Sequence, residues 1–177
     1  MKLKLISAAL LLCVFAFSAI ACGSSKTSTP GFETYTDNVN GFSISIPDSW
    51  ETTQEETVTF FSAPSPCVSL YPFGDVVAAS AEGYTSAQTY YSEVFEPFLE
   101  TLDGYGLISK ENSTIDGTPA IKVTYTYADG GYSFQEMASI LVDQQTLWVI
   151  VGSCESTCWN QHVGTFNTMT NSFQSLY

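Results

Sequence analysis

From Leu107 to Val151 the chain is written with a period of two, and that period restricts it to an antiparallel sheet. Ile121, Val123, Tyr125 and Tyr127 alternate with Lys122, Thr124 and Thr126, which sends the apolar side chains to one face of a strand. Leu107-Ile108-Ser109 opens a strand ahead of them, and Phe134 to Val142 forms the returning one. Asp116-Gly117 and Asp129-Gly130-Gly131 lie between the runs; aspartate and glycine accept the positive φ that tight hairpin turns demand. Asp143-Gln144-Gln145 turns the chain once more into Leu147-Trp148-Val149-Ile150-Val151. That last run is apolar without a break, the mark of a central strand covered on both faces.

The first half adds shorter strands. Gly41-Phe42-Ser43-Ile44-Ser45-Ile46-Pro47 alternates and stops at its proline, and Thr57 to Phe61 is a second strand. Ser62-Ala63-Pro64-Ser65-Pro66 reads as a turn, and Cys67 to Tyr71 as a third strand. Two helices complete the set. Ser86 is a suitable N-cap for the first, with Tyr91, Val94, Phe95, Phe98 and Leu102 on one face and Asp103-Gly104 as its stop. Pro97 lies inside it and should kink or split it. The second carries Trp159, Val163, Phe166, Thr170, Phe173 and Leu176 or Tyr177 at helical spacing to the C-terminus. Together these predict an α+β fold, an antiparallel meander with helices packed on it.

Ahead of this domain stands a segment of another kind. Lys2 and Lys4 precede an apolar run from Leu5 through Ala21, the build of a secretory leader. Ala19-Ile20-Ala21-Cys22, followed by a Ser/Thr/Gly/Pro stretch, resembles the lipobox of bacterial lipoproteins. The resemblance implies that residues 1–21 are a signal peptide and that Cys22 becomes a lipidated N-terminus carrying palmitate-type acyl chains. Ala19 departs from the leucine usual there, and retention of the run as an uncleaved anchor is the alternative. Each buried methylene contributes about 0.8 kcal/mol, so two or more chains anchor stably where one does not. Residues 22–31 cannot bury apolar surface and form a flexible tether. Residues 32–177 then form one domain, held at the cell membrane by lipid and facing its extracytoplasmic side.

Charge excludes one class of partner. The mature part keeps three lysines (Lys26, Lys110 and Lys122), no arginine and all 18 acidic residues, a net charge of −15. Nucleic-acid binding requires cations that displace counterions from phosphates, and this chain lacks them. Anionic headgroups are repelled as well, so the membrane is a partner through the lipid on Cys22.

The opening Tyr35-Thr36-Asp37-Asn38-Val39-Asn40-Gly41-Phe42-Ser43-Ile44-Ser45-Ile46-Pro47-Asp48-Ser49-Trp50 resembles the first strand of the PsbP-like fold. Gly117-Thr118-Pro119-Ala120-Ile121-Lys122-Val123, the strand with Trp148 and the closing Asn171-Ser172-Phe173 match in order. The resemblance spans roughly Phe32 to Tyr177 and rests on structural positions. The relatives it implies are photosystem-associated PsbP, Ran-binding Mog proteins and bacterial lipoproteins. It transfers no catalytic or ligand residue, and it implies a binding or accessory module, not an enzyme, with an extracytoplasmic protein as partner.

The residues able to do chemistry are few. Cys13 leaves with the leader and Cys22 carries lipid, so Cys67, Cys154 and Cys158 remain, an odd number for an exported chain. Proximity predicts a Cys154–Cys158 disulfide with Cys67 as a buried thiol, and a bridge from Cys67 to either is the rival. His162 is the sole histidine and the one obvious general base near neutral pH; it could also join these cysteines on a metal, although a tetrahedral site would still draw on Cys67. Glu55-Glu56 and Glu93, Glu96 and Glu100 could hold a divalent cation or act as acid and base, but each reads more simply as a solvated face. Tyr125, Tyr127 and Tyr132 could form an aromatic surface, or serve as core and sheet-face residues. No catalytic, cofactor or metal set is expected. A non-enzymatic accessory lipoprotein leads, with a ligand- or divalent-cation-binding lipoprotein and a hydrolase centred on His162 as alternatives.

Overall fold

The computed structural model describes residues 31–64 and 72–176. The leader, Cys22, most of the tether and the strand expected at Cys67–Tyr71 lie outside them. Ten strands are described: β1 Phe32–Asp37, β2 Phe42–Pro47, β3 Glu51–Glu55, β4 Val58–Ser62, β5 Phe73–Ser80, β6 Gly106–Ile115, β7 Thr118–Asp129, β8 Tyr132–Asp143, β9 Thr146–Glu155 and β10 Gln174–Ser175. They form a seven-stranded sheet of order β3-β4-β5-β9-β8-β7-β6 and a small sheet of order β1-β2-β10. The expected meander is β6 to β9, all antiparallel.

Its turns follow the local chemistry. Asp116 and Gly117 take φ of 50° and 77°, and Gly130 and Gly131 take 57° and 86°, so both two-residue loops have the positive angles that match strand twist. β9 sits in the middle of the large sheet, with its eight inner residues buried, as its unbroken apolar run required.

Side chains divide between two cores because successive residues of a strand face opposite ways. On one face, Ile150, Trp148, Met137, Phe61 and Val76 pack with β2 and helix α3, Trp159–Ser172. Phe173 stacks on Phe42 at 5.8 Å and meets Trp148 edge-on at 5.2 Å. On the other face, Val123, Tyr125, Ala138, Ile140, Val149 and Val151 are covered by a helical segment from Ala87 to Leu99. Ser86 caps that segment, its Oγ accepting from the Thr89 amide at 3.2 Å. It runs as α1 Ala87–Tyr90, a π-helical turn Tyr91–Phe95, and α2 Glu96–Leu99. Pro97 lies in the first turn of α2, and the widened turn before it relieves the clash an interior proline causes. The expected split is therefore absorbed as a π turn.

One boundary needs correction. α3 does not reach the C-terminus: it ends at Ser172, and Phe173 turns extended with φ −60° and ψ 136°. Burying the Phe173 ring among Phe42 and Trp148 overrides the helical spacing, and the chain continues as β10 along β2.

Candidate functional site

A row of polar side chains crosses the second core. Tyr125 of β7 is paired in register with Glu136 of β8, and Glu136 with Ser153 of β9. Asp75 of β5 is paired with Val151, two residues from Ser153, so strand alternation places it on the same face. The Tyr125 hydroxyl donates to Glu136 Oε1, and the Tyr127 hydroxyl lies 3.5 Å from Oε2. Ser153 is fully buried; its hydroxyl sits near enough to influence both Glu136 and Tyr127, yet makes no well-formed hydrogen bond. Asp75 Oδ1 is sealed from solvent and also without a hydrogen-bond partner, although the residue as a whole keeps some exposure.

Burial dominates the electrostatics of the row. It pushes the Asp75 carboxyl up to about 8, with the Glu136 charge adding to the effect. Burial raises Glu136 as well, against the opposing hydrogen bonds from Tyr125 and Tyr127 and the influence of the nearby Ser153 hydroxyl. Tyr125 and Tyr127 are raised by burial and by the carboxylate beside them. With Oδ1 sealed and partnerless, Asp75 keeps its proton near neutral pH. Chemically the row can store and release a proton. Among the described residues no group of three or more His, Cys, Asp or Glu is placed to hold a metal ion.

The candidates named from sequence are dispersed. His162 is half-buried on α3 with its ring 6.4 Å from Phe166, and burial lowers its pKa. Glu55 and Glu56 lie exposed at the β3–β4 turn, and Glu93 and Glu100 are exposed on the helical segment. Glu96 accepts from the Tyr91 hydroxyl at 3.0 Å. Tyr125 is buried, Tyr127 half-buried and Tyr132 exposed, so the three do not make one surface. Cys154 is buried and Cys158 half-buried, and both stand as thiols; Cys67 lies outside the described residues. Asp75 and Glu136 were not expected. Asp75 had a signal, a carboxylate inside the largely apolar β5, whereas Glu136 follows Ser133 and Gln135 in a mixed strand.

An antiparallel sheet with α3 and a small sheet on one face and a helical segment on the other defines an α+β domain of the PsbP type. The chain belongs to the PsbP family, whose model matches residues 30–175. Among solved structures, LpqN of Mycobacterium tuberculosis shares the fold with a TM-score of 0.66 at 11% identity, over 85% of this chain and 93% of that one. Cyanobacterial PsbP (CyanoP) of Synechocystis sp. PCC 6803 does so with a TM-score of 0.57 at 14% identity, over 86% and 97%. No curated protein matches the chain in sequence.

Proposed function

We propose that this protein is a lipid-anchored, extracytoplasmic accessory module that binds a protein partner and carries out no catalysis. The observation behind this reading is the order of parts. A lysine-led apolar leader ends at Ala19-Ile20-Ala21-Cys22, a polar tether follows, and the family match starts at residue 30. In this reading the acyl chains on Cys22 do the holding; among the described residues no helix is long and apolar enough to cross a membrane. LpqN, a protein of the same fold, is involved in cell envelope biogenesis, which fits an envelope role here. Cation binding has the acidic charge behind it, but among the described residues the carboxylates of Asp75 and Glu136 gain no third acidic partner.

The test is fractionation with mass analysis. The wild-type protein should be recovered from membranes with acyl chains on Cys22, and Cys22→Ala should be released or left unprocessed. A Cys22→Ala protein that is processed and held at the membrane at the wild-type level would refute the anchor. In vivo crosslinking of the anchored form should yield one dominant protein adduct that Cys22→Ala loses, and its absence would refute the partner.

A further inference from the structure

We propose that Cys154 and Cys158 form a dithiol site for thiol–disulfide exchange, with Cys158 reacting first and Cys154 second. Cys154 is the penultimate residue of β9, its side chain turned into the core beneath α3 and 0% exposed. Cys158 is half-buried at the cap position of α3 and packs against the same core. The corner between them is fixed: the Cys158 amide donates to the Glu155 carbonyl at 3.0 Å, and the Ser156 amide to the Ser133 carbonyl at 2.8 Å.

The thiols are also ordered with respect to one another. The Cys158 thiol lies at the corner itself, donating to the Glu155 carbonyl at 3.0 Å. Burial above all, and then the neighbouring Cys158, raises the Cys154 pKa well above that of an ordinary thiol. The inner residue is sealed in the core and keeps its proton while the outer one is partly exposed, and the thiolate is the nucleophile in exchange.

The step is a double displacement on a low-molecular-weight disulfide. Cys158 gives its proton to solvent and attacks one sulfur of the oxidant, forming a mixed disulfide and expelling a thiolate, which takes up a proton. Cys154 then loses its proton and attacks Cys158 Sγ, and the mixed disulfide breaks to expel the second thiolate. Two protein thiols and one small disulfide become one protein disulfide and two small thiols. The product bond ties the last turn of β9 to the start of α3.

The purified, fully reduced protein is incubated with glutathione disulfide and mapped by mass spectrometry without reduction. The wild type should lose two hydrogens within the peptide spanning 154–158 and retain no glutathione. Cys154→Ala should retain one glutathione on Cys158, whereas Cys158→Ala should leave Cys154 unmodified over the same period. The oxidised wild type should melt roughly 5 °C above the reduced form. Glutathione on Cys154 in Cys158→Ala at the rate seen for Cys158 would overturn the order. A bridge to Cys67, or a wild type that stays reduced, would overturn the site itself; the wild-type result decides this even if a variant folds poorly.

Discussion

A carboxyl group placed between strands with no cation to face stays neutral by keeping its proton, and Asp75 is such a group. Its folded pKa of about 8 lies far above its ordinary value of 3.8, so the folded state binds the proton more tightly than the unfolded chain. The sign follows from linkage: the contribution is fully present below about pH 4 and is lost as pH rises through 8. The melting temperature should fall between pH 5 and pH 9. Asp75→Asn, which has no proton to lose, should flatten that slope and exceed the wild type at pH 9; equal slopes would refute the assignment. Little of this was legible in the sequence. Each carboxylate is one letter in its strand, and what relates them is strand register, which sets Asp75 and Glu136 on one face, two positions apart along β9. Asp37 was more accessible to reading, because half of its surroundings are local. Its Oδ1 accepts from the Val39 and Asn40 amides at 2.9 and 2.8 Å and its Oδ2 from Thr59 at 2.7 Å. That geometry is the physical content of the Asp-Asn-Val-Asn-Gly stretch.

Among the elements, α3 shows how strands prepare a place for a helix. Gly74 and Gly152 are paired across β5 and β9. A Cβ on Gly152 would lie 2.4 Å from Phe166 Cγ, and one on Gly74 would lie 2.7 Å from Met169 Cε and 3.0 Å from the Val151 carbonyl. The two bare positions form a shallow bed into which the buried face of α3 settles. Gly152→Ala should force the Phe166 ring aside and cost about 2 kcal/mol, measured by denaturant unfolding; an unchanged midpoint would show that the ring moves freely. Elements were legible where period and punctuation agreed. β7 has clean alternation and a glycine turn at each end. β5 escaped notice because Gly74 and Asp75 interrupt its apolar pattern, and β3 because Glu-Thr-Thr-Gln-Glu has no apolar face. The end of α3 was misjudged because helical spacing cannot tell a residue on the helix from one folded back into the same core.

At the scale of the whole molecule, charge dominates. Both lysines of the described domain are engaged: Lys110 Nζ lies 3.9 Å from the centre of the Tyr91 ring, and Lys122 contacts Asn167 at 2.8 Å and Glu111 at 3.4 Å. The remaining surface repels itself, and that repulsion opposes compaction. Stability should therefore rise with ionic strength, by several degrees of melting temperature between ~0.01 and ~0.15 M salt. A fall over that range would mean that attractive pairs outweigh the repulsion.

The two outer strands of the large sheet carry this charge to its rims. β3 presents exposed Glu51 and Glu55, and β6 is interrupted between Leu107 and Ser109 and then carries Lys110 and Glu111. A protein held to a surface by one end shares a plane with its copies, and neighbours there collide rim to rim far more often than in a dilute volume. Open rims are where sheets knit together. On the proposed lipid anchor, acid would meet acid at one rim and a bulge would break the other, so a crowded layer would stay a lawn of separate domains.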